Sequence, residues 1–170
     1  MGGPNPTTKT ALESRWVLDG GVALGEAGKD NVGPGVEIEF RRRIVFHPHE
    51  LKLGQLNTNN HWSLDLGLGA GAAGWAGKRP ATLMGVGRFG INYNLLNIVG
   101  IGPTFRAGYA STSDGTNKDG GLLWSAALRF GGVINHLSVS SEVGILSLPS
   151  PTGDGSERSA YGMALMGYLF

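Results

Sequence analysis

The stretch Val36-Glu37-Ile38-Glu39-Phe40-Arg41-Arg42-Arg43 sorts its residues by parity. In an extended chain successive side chains point to opposite faces, so Val36, Ile38 and Phe40 share one face while Glu37, Glu39, Arg41 and Arg43 share the other. Outward from it in both directions, eight segments follow the same period of two: residues 14–25, 35–47, 61–75, 81–94, 97–110, 121–134, 136–147 and 159–170. Each runs to about 12 residues or more. Globular strands have a mode near 5 or 6, whereas a tilted strand needs about 9 to 11 to cross the hydrocarbon of a bilayer. The lengths predict membrane-crossing strands.

The faces of the other segments sort the same way. Trp16, Leu18, Val22 and Leu24 oppose Arg15, Val17 and Asp19; Trp62, Leu64, Leu66 and Leu68 oppose Ser63 and Asp65. Leu83, Phe89, Ile91 and Tyr93 oppose Arg88, and Val99, Ile101, Phe105 and Tyr109 oppose Thr104 and Arg106. Leu122, Trp124, Leu128 and Phe130 oppose Ser125 and Arg129, and Leu137, Val139, Val143 and Ile145 oppose His136, Ser138, Ser140 and Glu142. The polar faces thus carry Arg15, Arg41, Arg43, Arg88, Arg106 and Arg129 against Asp19, Glu37, Glu39, Asp65 and Glu142, while Lys9, Lys29, Lys52, Lys78 and Lys118 are all expected outside the strands. Only Arg42 falls on the apolar face, where a place near the strand end lets it snorkel or a bulge shifts the register.

This division fits an apolar face in lipid, where Arg or Lys at mid-depth costs about 2 to 4 kcal/mol. It also fits a confined polar interior, because guanidinium pairs with carboxylates in planar, bidentate geometry. A soluble ligand-binding barrel is the alternative; it would carry lysines and glutamates on its outer face instead.

Composition narrows the rest. Thirty glycines in 170 residues disfavour helical packing. A net charge of +1 gives no electrostatic case for nucleic acid, and the absence of cysteine removes disulfides and thiolate sites. No apolar run reaches the roughly 18 residues of a membrane helix. Residues 1–13 are expected to be a polar tail without a secretory signal, preceding one barrel domain over 14–170. An outer-membrane location therefore presupposes that a signal lies outside this sequence. Glu26 to Pro34, Ser111 to Gly120 and Leu148 to Arg158 read as long loops, Leu95-Leu96 and Asn135 as tight turns: the alternation usual in outer-membrane barrels. His47 to Asn60 and Gly77 to Pro80 fit that alternation less well. Trp16, Trp62, Trp75, Trp124, Tyr93 and Tyr109 are candidates for interfacial girdles.

The last segment, Ala160-Tyr161-Gly162-Met163-Ala164-Leu165-Met166-Gly167-Tyr168-Leu169-Phe170, is apolar on both faces and closes on Tyr168 and Phe170. It resembles the C-terminal strand of outer-membrane barrels, whose final aromatic is read by the barrel assembly machinery. By architecture, residues 14–170 resemble the small eight-stranded OmpA and OmpX type. That likeness implies an all-β, eight-stranded antiparallel up-and-down transmembrane barrel in contact with lipid and lipopolysaccharide, and it transfers no site residues. An interior of eight strands is just wide enough for side chains to fill it, so the eleven charges are expected to form a paired plug. The expected role is a non-enzymatic envelope scaffold or loop-displaying protein, with an envelope protein as a possible partner, no nucleic acid and no cofactor.

Three other readings stand beside that scaffold. One is a narrow pore. Another is a lipid hydrolase using His136, Ser138 and Glu142, which faintly resembles the barrel-type lipid A deacylase but lacks its flanking residues. His47, His49, Glu50 and His61 have the chemistry of zinc ligands without forming a closed set. The expected catalytic and metal residues are therefore none.

Overall fold

The computed structural model describes residues 12–26, 32–46, 61–74, 81–95, 99–113, 118–150 and 155–170. They form eight strands: β1 (Leu12–Glu26), β2 (Val32–Phe46), β3 (His61–Ala73), β4 (Thr82–Leu95), β5 (Val99–Ser113), β6 (Lys118–Ile134), β7 (Leu137–Pro149) and β8 (Ser156–Leu169). Each strand pairs antiparallel with the next, and β8 pairs with β1 from Val17↔Leu169 to Gly25↔Tyr161, so the sheet closes as an up-and-down barrel. Closure leaves no free sheet edge along the paired length. With an even number of strands, the chain enters and leaves at one end, here termed the near end; the opposite end is the far end.

Two local features follow from residue chemistry. Asn135, in the turn between β6 and β7, has φ 58°, a left-handed conformation that Asn tolerates better than most residues. The β4–β5 ladder breaks between Gly90↔Thr104 and Tyr93↔Ile101. Pro103, which has no N–H to donate, lies in this gap.

Parity sorts the two surfaces as the alternation requires. Leu68, Leu122, Val143 and Ile38 project outward and are exposed, whereas Asp19, Glu39, Arg41 and Glu142 are fully buried in the interior. Small residues stand beside the long inward ones. Gly67 is paired with Arg41 on one side and with Arg88 on the other, and a Cβ added there would lie 2.7 Å from the Arg41 Cβ.

The structure differs from the sequence expectation in four respects. Strands run past the predicted loops: β5 extends to Ser113 and β6 starts at Lys118, so one lysine lies within a strand. The expected long connections shrink likewise where β2 begins at Val32, β7 ends at Pro149 and β8 begins at Ser156. The cause is that ladder pairing continues beyond the apolar belt, through Ser, Asp and Gly that read as turn formers. Third, the interior is not filled by charge throughout. Toward the far end Val86, Ala110, Leu123, Leu146, Leu148, Tyr161, Met163 and Leu165 pack as an apolar cluster. Fourth, β8 has a definite inward side, made of Tyr161, Met163, Leu165 and Leu169. His47 and Trp75, expected at strand ends, lie outside the described residues, as do residues 1–11.

Because the space at Gly67 is occupied by Arg41, Gly67→Val is expected to destabilise the barrel by about 1 to 3 kcal/mol, the usual cost of overpacking. Urea unfolding in detergent, followed by circular dichroism, measures this. Gly85→Val is the control, since a Cβ at Gly85 meets nothing within 4 Å.

Candidate functional site

The inward arginines and carboxylates meet in the middle of the barrel as one chain of alternating charge. Arg88 is ion-paired with both Glu39 and Glu142. Glu142 also faces Arg129 at 3.5 Å, and Arg129 lies 3.7 Å from Asp19. Asp19 accepts from Arg41 Nε at 2.5 Å, and Arg41 Nη1 donates to Asp65 at 2.6 Å. Asp65 accepts from Arg43 Nε at 2.9 Å and Nη2 at 3.1 Å. Glu39, Arg88, Glu142, Arg129, Asp19, Arg41, Asp65 and Arg43 thus succeed one another with strictly alternating sign. They are contributed by β2, β4, β7, β6, β1 and β3, so the chain ties distant strands across the lumen.

A separate pair lies nearer the far end. Arg106 Nη1 donates to both carboxylate oxygens of Glu37, at 2.8 and 2.7 Å, while its Nε donates to Ser125 at 3.0 Å. The Arg106 guanidinium stands 5.0 Å from the centre of the Tyr161 ring. Burial of isolated charges in a low dielectric is costly, so such pairing is a condition of their being there.

Of the eleven residues expected in the lumen, nine are buried; Arg43 is part-buried and Arg15 is exposed. Arg15 and Arg43 line a cavity of about 410 Å³ at the near end, together with His61, Asn92, Asn94, Arg129, Ser138 and Ser140. Sequence reasoning missed Asn92, Asn94 and Tyr161. Asn92 donates to Asp65 at 3.2 Å and Asn94 to Ser63 Oγ at 3.0 Å. Their inward positions are set by the parity of β4, which the alternation did contain.

His136, Ser138 and Glu142 are not brought together as a triad. The His136 ring is exposed at the turn and stacks on Tyr168 with centroids 5.6 Å apart. Ser138 faces the lumen and accepts from Arg41 Nη2 at 3.3 Å, while Glu142 is held by arginines. Of the four metal candidates, His47, His49 and Glu50 lie outside the described residues and His61 lines the near-end cavity. Among the described residues no group of three His, Asp or Glu side chains is placed to hold a metal.

On the outer wall near the near end, Trp16 stacks on Phe40 at 4.7 Å and Trp62 lies 4.9 Å from Tyr93. Arg42, the one arginine expected on the apolar face, lies 5.6 Å from the Trp16 ring and donates to Ser14 at 3.1 Å. Toward the far end Arg158 lies 5.8 Å from the Trp124 ring.

No protein-family profile and no curated protein matches the chain. Among solved structures it is similar to Ail, the attachment invasion locus protein of Yersinia pestis, at 12% identity and TM-score 0.49, over 92% of this chain and 97% of that one. It is also similar to Neisserial surface protein A at 12% identity and TM-score 0.46, over 94% of this chain and 99% of that one. A further structure of Ail, in complex with the heparin analogue sucrose octasulfate, matches at 12% identity and TM-score 0.42. These likenesses concern the fold and assign no role to any residue.

Removing one member of the isolated pair strands the other in the interior, so Glu37→Leu is expected to cost about 3 to 5 kcal/mol, and the double variant Glu37→Leu/Arg106→Leu distinctly less. Urea titration of the four proteins of that double-mutant cycle measures the coupling; additive losses would mean that the two charges do not depend on each other.

Proposed function

We propose that the chain is a non-enzymatic outer-membrane barrel that acts as a sealed scaffold, presenting its end segments to other components of the envelope. The observation that carries this reading is the inversion of the two surfaces. Outward side chains such as Leu122, 80% exposed, and Leu68, 73% exposed, form a wall of apolar residues, while arginines and carboxylates are buried inside. In water that wall would forfeit about 25 cal/mol for every Å² of apolar surface left uncovered. In hydrocarbon it costs nothing. The near-end aromatics and the outward Arg42 suit the interfacial zone, where Trp and Tyr settle and long cations snorkel.

The scaffold reading is supported over a pore by what stands along the axis. Between the near-end cavity and the far mouth lie the alternating ion chain, the Arg106–Glu37 pair and the apolar cluster around Leu123, Leu146, Leu148 and Tyr161. A hydrolase would need an accessible nucleophile with its base beside it, and the separation of Ser138 from His136 does not provide one.

Lipid and lipopolysaccharide are the proposed surroundings of the wall, and the assembly machinery the proposed reader of the C-terminal strand. Phe170 is exposed, and its N–H donates to the Trp16 carbonyl at 2.9 Å, so the last residue completes the β8–β1 closure while leaving its ring on the outside.

Two measurements test the reading. Folded into detergent, the protein is expected to migrate as a compact form on gels and to shift only on boiling, with β-type circular dichroism before it. A chain that is folded and monomeric without detergent would instead make it a soluble barrel. Reconstituted into planar bilayers, it is expected to add no discrete conductance steps; regular steps altered by Arg88→Ala or Arg106→Ala would replace the scaffold with a pore. In cells, removal of Phe170 is expected to lower the amount of assembled barrel several-fold.

A further inference from the structure

The charges in the lumen are unevenly distributed along its axis. Arg15 and Arg43 stand nearest the near mouth, and Arg129 reaches the same cavity from the opposite wall. Asp65 and Glu142 stand across the ladder from Arg43 and Arg129, and the other carboxylates lie deeper. Glu37 is furthest in, beside Arg106, and Glu39 is held by Arg88. Among the described residues, those lining the near-end cavity include Arg15, Arg43, Arg129 and His61 and no carboxylate.

The acid closest to this cavity, Asp65, is saturated: it accepts from Arg41, twice from Arg43, and from Asn92. Arg129 is 3% exposed; its Nη2 donates to Ser140 at 2.6 Å, while its Nη1 makes no hydrogen bond. That Nη1 faces the Glu142 carboxylate at 3.5 Å without the geometry of a hydrogen bond, and a buried guanidinium held this loosely gains from a closer acceptor. The rest of the described lining is neutral: polar at Asn92, Asn94, Asn135, Ser138 and Ser140, apolar at Val45, Val133 and Leu169, with Gly100, Gly131 and Gly132 leaving part of the wall as bare backbone.

We propose that the near-end cavity is a binding site for a tetrahedral oxyanion, a phosphate either free or as the monoester end of a small soluble molecule. Three arginines line a volume within the roughly 300 to 1,000 Å³ typical of small-molecule sites. Arginine is the residue suited to planar, paired donation to phosphate oxygens. The ligand enters from the aqueous mouth of the barrel and not from its outer wall, so membrane lipid is not its source. The site requires only the closed barrel and stands apart from the scaffold reading.

The test uses the full chain, isotope-labelled and folded in a neutral maltoside detergent, titrated with inorganic phosphate and separately with glycerol phosphate at constant ionic strength, with chloride as reference. Saturable amide shifts are expected at Gly100, Gly131, Ser138 and Ser140, with none at the far-end Gly108 and Gly121. Tighter binding of glycerol phosphate would assign the monoester, and equal or weaker binding the free ion. Arg43→Gln is expected to weaken binding roughly tenfold, the scale of a lost charged hydrogen bond. The same loss is expected from Arg15→Gln, which changes an exposed residue and leaves the buried chain intact. Shifts that do not saturate, that chloride reproduces, or that persist unchanged in the doubly substituted Arg15→Gln/Arg43→Gln protein would overturn the proposal. Unaltered gel mobility shows that each variant is folded.

Discussion

Everything inside the barrel is arranged around the need to neutralise guanidinium groups where water is scarce. Arg41 shows the requirement most plainly: fully buried, it is held between Asp19 and Asp65 and donates further to Ser138. Those three partners come from β1, β3 and β7, so one side chain spans the lumen and fixes three strands against one another. The glycines follow from the same need. Gly67 leaves the volume through which Arg41 and Arg88 pass, and Gly69 does the same beside Glu39, where a Cβ would lie 3.0 Å from the Glu39 side chain. The high glycine content is thus partly the complement of the long charged residues.

Pairing of this kind is a weak source of net stability, since desolvation offsets most of the attraction. Its stronger effect is on register. A strand shifted by one residue would turn every inward arginine outward and every outward Leu, Ile or Phe into the lumen. Because ions and apolar groups occupy opposite faces of nearly every strand, each slip is penalised twice. The apolar cluster at the far end has the complementary role: it fills the lumen where no ion pairs do, and it includes the inward side of β8, the strand with no charged residue after Arg158.

The sequence disclosed the strand count and the inward face of seven strands, because alternation with arginine on one side and leucine on the other is a signal that few folds produce. It was poorer at the ends and in the far half. Ser111 to Gly120 has turn-like chemistry, yet Ser113 pairs with Lys118, since cross-strand pairing continues past the belt that gives the alternation its contrast. Leu122-Leu123 and Ile145-Leu146 put apolar residues on both faces, so periodicity alone could not show that Leu123 and Leu146 point inward. For β8, the fact that settles the matter is its pairing with β1 and β7, which is a property of closure and not of its own residues. His136 was misplaced for a related reason: parity assigned it to the lumen face, but it lies in the turn, where parity lapses.

The wall and the lumen are under unequal constraint, and that shapes how such a chain can change over generations. On the wall, Val22, Ile38, Leu68 and Val143 are exposed among the described residues, so one aliphatic residue can replace another there with little effect on the geometry. In the lumen a change at Arg88 takes the ion-pair partner of Glu39 and leaves Glu142 with Arg129 alone, so substitutions there must arrive in compensating sets. Drift will therefore accumulate quickly and singly on one parity of every strand, slowly and in concert on the other. A lineage built this way can lose recognisable ancestry in its sequence long before it loses its shape.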